Sequence, residues 1–127
     1  MLETLSVIRM ADELAAHAGA RLGLIARNVA QADTPGYKAV DLEAFAETYQ
    51  DTGAEGMRAT RPGHFSFAGQ MMEPVVQTDG GEMSPDGNTV SLSHEMVKSV
   101  EVRQQHDMAL AVYRNAADIM RASLGRR

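Results

Sequence analysis

The side chains of this sequence that could do chemistry are scattered, and the most suggestive group begins at His94-Glu95. A zinc-protease helix places a second histidine four residues after the first, so that both imidazoles face one metal ion. Here that position holds Lys98, and His106-Asp107 lies about three helical turns further along, too far to share a metal ion with His94. We interpret all four histidines as solvated side chains, and we predict no metal site.

Other patterns that could support catalysis or cofactor binding fail on spacing. Gly80-Gly81 lacks the Gly-x-Gly-x-x-Gly spacing and the preceding strand of a nucleotide-binding fold. Residues 79–88 lack the alternating ligands and the distal glutamate of a calcium-binding loop. The neighbouring carboxylates Asp12 and Glu13 point to different sides of a helix, and the sequence has no Gly-x-Ser-x-Gly element. We therefore predict no catalytic residue, no cofactor and no small-molecule substrate.

Length and composition restrict the class of protein. The chain has 127 residues, enough for one domain, and it is 44% hydrophobic but only 5% aromatic, with no cysteine. This composition suits helices better than a β-sandwich, and it excludes a disulfide scaffold. The net charge of −5 argues against a nucleic-acid partner. Residues 32–91 carry a net charge of −7, whereas the two ends of the chain are nearly balanced.

The first residues, Met1 to Thr4, lack the basic and apolar regions of a secretory signal peptide. No uncharged run approaches the roughly 20 residues that a membrane-spanning helix needs. Taken alone, these features predict a soluble chain that is cytoplasmic by default.

Two long helices, one at each end of the chain, must position any site. Apolar residues recur at steps of three and four over 1–31 and again over 92–127, which predicts two amphipathic helices. Ser91 or Ser93 can cap the second helix. The packing residues predicted on the first helix are Leu14, Leu22, Ile25 and Val29. The coiled-coil seam predicted on the second helix consists of Leu110, Tyr113, Ala117, Met120 and Leu124.

The predicted fold is a single mainly α domain over 1–127. The two terminal helices pair as an α-helical coiled coil, because a rod of thirty residues is about 45 Å long and needs a partner along it. The middle, 32–91, combines a turn motif with an irregular stretch rich in Gly and Pro, in which only 65–67 and 73–76 have extended character.

The first helix is predicted to end at the turn Thr34-Pro35-Gly36-Tyr37. Pro35 pushes Thr34 out of the α region, and Pro followed by Gly suits a type II turn, because Gly accepts the positive φ. From the residues alone, this element is a helix terminator.

The turn lies within the longer element Asn28-Val-Ala-Gln-Ala-Asp-Thr-Pro-Gly-Tyr-Lys-Ala39. This element closely resembles the signature near the N-terminus of the rod and hook family of bacterial flagellar axial proteins. Two further segments, 41–45 and the Asp-Gly-Asn-Thr-Val segment at 86–90, narrow the resemblance to short rod subunits. The resemblance covers both ends of the chain and is loose over 50–80. Ser91 stands where family members commonly carry an acidic residue.

The resemblance implies a structural subunit of the flagellar basal body. Its helices would pack against copies of itself and other rod proteins in the proximal rod, which joins the membrane-embedded base to the distal rod and transmits torque. The subunit would pass unfolded through the flagellar type III export apparatus without cleavage, and it would assemble in the periplasm on a membrane-embedded basal-body ring and adaptor. The motif residues implied to contact other subunits are Asn28, Ala30, Asp33, Thr34, Pro35, Gly36, Tyr37 and Lys38.

Two alternatives stay open. By family analogy, Phe45 and Tyr49 form a short export signal, although an amphipathic turn of the core explains the same residues equally well. The whole chain could instead be a small cytoplasmic helical adaptor or chaperone that binds partner helices in a groove.

Overall fold

A computed structural model of the protein describes residues 2–49, 76–80 and 82–125. The chain forms helix α1 (Leu2–Ala30), strand β1 (Val40–Leu42), the short helix α2 (Phe45–Thr48), strand β2 (Val76–Thr78) and helix α3 (Leu92–Ser123). Two long terminal helices with little strand confirm the predicted mainly α fold. In the described part of the chain, neither long helix contains an apolar stretch sufficient to cross a membrane.

Both long helices end where the sequence supplies a stop. After α1, the chain enters the turn that holds Pro35 and Gly36, and Gly36 adopts a φ of 73°. After α3, the amide of Leu124 still donates to the carbonyl of Met120, and Gly125 then leaves the helical conformation with a φ of 86°. Ser91 stands at the N-cap of α3 but makes no side-chain capping bond, so the predicted cap is absent.

The two long helices run antiparallel. Asn28, near the end of α1, contacts Glu95 in the first turn of α3. At the opposite end, Thr4 and Val7 of α1 share a groove with Ala116 and other residues of α3. This arrangement supplies each helix with the partner that its length requires.

Buried residues along the contact repeat every seven positions in both helices. On α1 these residues are Ala11, Ala18 and Ile25, and on α3 they are Val102, Ala109 and Ala116. Leu22 packs beside Ala18, Ile25 and Val102. A seven-residue repeat is the spacing of a coiled-coil seam, and alanine in four of the six positions lets the helices approach closely.

The buried seam of α3 lies one residue before the predicted one. Ala109 and Ala116 are buried, whereas Tyr113 and Leu124 are 42% and 71% exposed. The prediction followed the large apolar side chains, but the inner face of α3 is built from small ones. Leu110, Ala117 and Met120 are half-buried beside the seam.

A small antiparallel ribbon covers the end of the helix pair. Val40 pairs with Thr78 and Leu42 with Val76, and the amide of Asp79 extends the pairing to the carbonyl of Ala39 at 2.8 Å. No pattern in the sequence predicts β1. Of the two predicted extended segments, 65–67 lies outside the described residues, and only Val76 of 73–76 lies within them.

Candidate functional site

The end of α1 is closed by a side chain from a distant part of the sequence. The buried Asn88 directs its side-chain nitrogen at three main-chain carbonyls, those of Gln31 (3.0 Å), Ala32 (2.8 Å) and Thr34 (2.9 Å). Its oxygen accepts a bond from the amide of Val90 at 2.7 Å. These carbonyls lie just beyond the last residue of α1, and those of Gln31 and Thr34 also accept backbone amides of the turn, so Asn88 is a common donor that ties the turn together.

The turn after α1 and the segment before α3 dock backbone to backbone. The amide of Gly36 donates to the carbonyl of Asp86 at 3.0 Å, and the amide of Thr89 donates to the carbonyl of Tyr37 at 3.1 Å. Lys38 donates to the carbonyl of Gly87 at 3.2 Å. The two segments that carry the family resemblance therefore form one unit, which we call the clamped turn (residues 31–39 and 86–90).

A second asparagine ties α1 to the ribbon. Asn28 is fully buried, and its side-chain amide both donates to the carbonyl of Val40 (2.8 Å) and accepts from the amide of Val40 (3.1 Å), as a neighbouring strand would. Its oxygen also accepts a bond from the hydroxyl of Tyr37 at 3.2 Å, and its nitrogen donates to Glu95 at 3.0 Å. One side chain thus joins α1, β1, the clamped turn and α3.

Five charged side chains meet beside Asn28, and we call this group the Lys98 cluster. Its members are Arg21 of α1, Asp41 of β1, Asp79 just after β2, and Glu95 and Lys98 of α3. The ammonium of Lys98 bonds to Asp79 and lies 3.3 Å from Asp41 and 3.4 Å from Glu95. Arg21 holds Asp41 through two bonds of 2.7 and 2.8 Å.

The charges in this cluster stabilise one another against burial. Burial opposes ionisation of Asp41, but the bond from Arg21, the amide of Leu42 and the nearby charges outweigh it, so the pKa of Asp41 lies below its ordinary value. Burial likewise disfavours the charged form of Lys98, yet its carboxylate partners raise the pKa of that ammonium. The bond to Asp41 also raises the pKa of Arg21.

The sequence did not predict this cluster. Glu95 has a residue type that is ordinary on a solvated helix surface, yet it is 1% exposed. Lys98 was noted only as the residue that breaks a zinc pattern. The spacing of Glu95 and Lys98 does indicate their burial. These residues lie seven and four positions before Val102, which places them on the same helix face as the buried seam residues Val102, Ala109 and Ala116. His94 is exposed and does not share the inward face with Glu95.

The structure divides the predicted contact residues of the motif. Asn28 is buried and Tyr37 half-buried, and both bond within the chain. The other six are exposed: Ala30, Asp33, Thr34, Pro35, Gly36 and Lys38. Contact between these residues and a neighbouring subunit stays a prediction.

Phe45 and Tyr49 lie on and just after α2, against α1. The Phe45 ring meets His17 edge to face, with ring centres 5.6 Å apart, and stacks on Tyr49 at 5.1 Å. His17 donates from Nε2 to the carbonyl of Glu43 at 2.9 Å. The ring of His17 is therefore half-buried rather than solvated, which corrects the expectation for this histidine. A role of Phe45 and Tyr49 in export stays a prediction.

The helix pair leaves many large apolar side chains exposed. On α3, the face turned away from the seam carries Met96, Val97, Val100 and Met108, which we call the outer face of α3. On α1, the exposed large apolar residues include Leu5, Val7, Met10 and Val29. An open groove of about 390 Å³ lies between the helices and is lined by Thr4, Val7, Val112, Asn115, Ala116 and Ile119. Of the predicted packing residues on α1, Ile25 is buried, Leu14 and Leu22 are half-buried, and Val29 is exposed.

Two long paired helices with a clamped turn and exposed apolar faces are typical of helical subunits of larger assemblies. No model of a protein family matches the sequence. The chain is 32% identical to the flagellar basal body rod protein FlgB of Cereibacter sphaeroides, in an alignment that covers 90% of this chain and 95% of that protein. It is 28% identical to FlgB of Agrobacterium fabrum, over 84% of each chain. The chain therefore belongs to the FlgB family of flagellar basal body rod proteins.

Proposed function

We propose that the chain is a non-enzymatic structural subunit of the proximal rod of the bacterial flagellar basal body. The observation that carries this proposal is the line of exposed apolar side chains on the outer face of α3. Val100 is 68% and Met108 56% exposed, and both stand on a helix whose inner face is already filled by α1. Single exposed apolar residues are ordinary, but a row of them on one helix face favours a protein interface.

The arrangement supports a filament better than a closed dimer. The outer face of α3 carries bulky apolar side chains, whereas the middle of α1, over residues 16–23, exposes small residues, Ala16, Gly19 and Gly23. Unlike surfaces form heterologous contacts, and heterologous contacts that do not close generate helical assemblies. Copies of the chain and other rod proteins are therefore the proposed partners, with a membrane-embedded ring and adaptor at the base of the rod.

Torque passes through a rod only if its subunits resist bending and shear. The clamped turn and the Lys98 cluster bind the helix pair to the ribbon through side chains from α1, β1, β2 and α3. Such cross-links make the ordered end of the subunit stiff, which suits a mechanical role. We place the assembled subunit in the periplasm, reached through the flagellar type III export apparatus without cleavage of a signal peptide.

Replacing the apolar surface of α3 by charge tests the proposal. Val100→Asp combined with Met108→Asp should abolish rod assembly and swimming, because both side chains would carry charge into an apolar contact. Val100→Leu combined with Met108→Leu changes the same two side chains but keeps them apolar, and it serves as the control. Motility in soft agar, rods counted in purified basal bodies and circular dichroism of the purified variants are the measurements. Complete rods and normal swimming in the folded double variant would overturn the proposal.

Export distinguishes the rod subunit from the cytoplasmic adaptor. A strain blocked in rod completion should release the chain into the medium, because an exported subunit that cannot assemble is not held in a rod. Retention of the chain in the cytoplasm of that strain would favour the adaptor. Membership of a rod protein family argues against the adaptor.

A further inference from the structure

The seam between α1 and α3 changes character along its length. Over most of it, the buried positions are filled by small residues, Ala11 and Ala18 on α1 and Ala109 and Ala116 on α3. At the end next to the ribbon, the inward positions hold polar side chains instead: Asn28 of α1 and Glu95 and Lys98 of α3. These three residues are 0%, 1% and 8% exposed.

The alanine part of the seam does not specify one alignment of the helices. Val102 shares one buried cluster with both Ala18 and Ile25, and Asn28 bonds to Glu95, so in the antiparallel pair Val102 is level with a point between Ala18 and Ile25, and Ala109 with a point between Ala11 and Ala18. Sliding α3 by one heptad, about 10 Å, would place Val102 between Ala11 and Ala18, or Ala109 between Ala18 and Ile25, and so would again set small residues against small ones. The apolar contact alone is therefore nearly degenerate.

The polar end is not degenerate. The buried carboxylate of Glu95 takes its bonds from Asn28 and Lys98, and Lys98 also binds two acids of the ribbon. The ribbon in turn is held on α1 by the bonds between Asn28 and Val40. A slip of one heptad would bring Lys98 level with the apolar Ala18 in one direction, and Asn28 level with the apolar Val102 in the other. Either shift would separate Glu95 from Asn28 and Lys98 from Asp41 and Asp79, and buried polar groups that lose their partners are strongly unfavourable.

We propose that Asn28, Glu95 and Lys98 fix the register of α3 against α1. Their bonds select one alignment of the two helices among several that have similar apolar packing. The selected alignment determines which outward residues of α1 and α3 lie next to each other on the surface. A single buried polar position is known to set register in coiled coils. The inference concerns the chain by itself and does not depend on its place in the rod.

Spin labels can measure this register directly, because the chain has no cysteine of its own. Ala20→Cys and Ala122→Cys place one nitroxide on an exposed position of each helix. In the observed alignment the two levels differ by about 28 Å along the axis, and a slip of one heptad changes this offset by about 10 Å. Pulsed electron–electron double resonance on the purified full chain would report one distance between the two nitroxides for the observed alignment and a second distance for a slipped one.

The variant Asn28→Leu/Glu95→Leu/Lys98→Met replaces the polar end by apolar side chains that can pack in several alignments. We expect its slipped population to rise at least about tenfold over that of the chain with an intact cluster. The control Glu101→Gln/Arg103→Met removes two exposed charges of the same helix and should keep a single distance. Glu95→Gln, which keeps the shape of the side chain, is the second variant should the triple variant not fold.

Three results would overturn the inference. The first is a single unchanged distance in the folded triple variant, or in Glu95→Gln where only that variant folds. The second is a mixture of distances already present with the cluster intact. The third is loss of helix, by circular dichroism, in both variants, since the cluster would then supply stability and not the choice of register.

Discussion

The side-chain nitrogen of Asn88 lies 2.8 Å from the carbonyl oxygen of Ala32, although the two residues are 56 positions apart in the sequence. Asn88 stands just before α3, and Ala32 just after α1. The C-terminal end of the first helix is therefore completed by the approach to the last one. Because the polar groups of the two segments bond to each other, the turn after α1 and the segment before α3 each depend on the other for their hydrogen-bond partners.

Removing this amide should loosen the clamped turn. Asn88→Ala removes the buried amide that donates to the carbonyls of Gln31, Ala32 and Thr34, and we expect a loss of about 1–3 kcal/mol in the free energy of unfolding. Urea unfolding followed by circular dichroism measures it. Asn115→Ala, at an exposed position of α3, is the control and should change stability by less than about 0.5 kcal/mol. Equal effects of the two substitutions would contradict the capping role of Asn88.

Glycine substitutions should have opposite signs in the clamped turn and in α1. Gly36 and Gly87 have φ angles of 73° and 82°, and a Cβ on Gly87 would also lie 3.5 Å from the Cα of Gly36. Gly36→Ala and Gly87→Ala should each cost about 1 kcal/mol or more, because an L side chain is strained at positive φ. Gly19→Ala and Gly23→Ala meet no atom within 4 Å and should stabilise the helix by about 0.5–1 kcal/mol each. Thermal unfolding of the four variants gives the comparison, and destabilisation by Gly19→Ala would contradict it.

The sequence predicted the two helices well because their stops are local. Pro35 and Gly36 end one helix, and Gly125 ends the other, through preferences that each residue carries by itself. The ribbon was missed for the opposite reason. Strand β1 is three residues long and is defined by a partner strand and by the side chain of Asn28, both distant in sequence. No local pattern encodes such a partner.

The candidate site was only partly predictable. The family resemblance pointed to Asn28 and the turn, and the structure explains why those residue types stand there, since the side-chain amide of Asn28 makes four hydrogen bonds with three residues. Lys98 and Glu95 have the residue types of a solvated helix surface, and only their phase relative to the seam indicates burial. The predicted position of the seam was wrong because the prediction followed bulky residues such as Tyr113, whereas the buried positions in this part of α3 are Ala109 and Ala116.

A substitution that enlarges the seam tests its phase. Ala109 is 1% exposed, and Ala109→Leu would force the helices apart, at a cost of about 1–3 kcal/mol. Ala111→Leu adds the same side chain two residues later, on the exposed side of α3, and should be neutral within about 0.5 kcal/mol. Urea unfolding of both variants measures the difference. If Ala111→Leu proved the more harmful in the isolated chain, the seam would not pass through Ala109.

The hydrogen bond from the hydroxyl of Tyr37 to Asn28 is expected to stabilise the folded chain itself, apart from any contact with another subunit. Tyr37→Phe removes the 3.2 Å bond to Asn28 and keeps the ring, so we expect a loss of about 0.5–1.5 kcal/mol in the purified monomer. Tyr113→Phe changes an exposed tyrosine of α3 in the same way and is the matched control. The measurement is the denaturant concentration at the midpoint of unfolding, compared between each variant and the unchanged chain. An unchanged midpoint for Tyr37→Phe would leave its hydroxyl without a role inside the chain.

The Lys98 cluster should make stability depend on pH at both ends of the scale. The folded pKa of Asp41 is lowered, so between that pKa and the unfolded value of about 3.9 the unfolded chain binds more protons, and stability falls as the solution is acidified through this window. The folded pKa of Lys98 is raised, so its contribution is complete below the unfolded value of about 10.4 and disappears as pH rises through the folded one. These two groups therefore give a plateau near neutral pH.

Asp41→Asn isolates the acidic side of this dependence. The variant should lose about 1–3 kcal/mol at pH 7, because Arg21 and Lys98 lose a charged partner, and its stability should fall less steeply below pH 4 than that of the unchanged chain. Asp118→Asn, which removes an exposed carboxylate paired with Arg121 near the end of α3, controls for the loss of one negative charge. Urea unfolding at closely spaced pH values measures the slopes. Identical acid slopes for Asp41→Asn and the unchanged chain would mean that Asp41 is not held in its ionised form by the cluster.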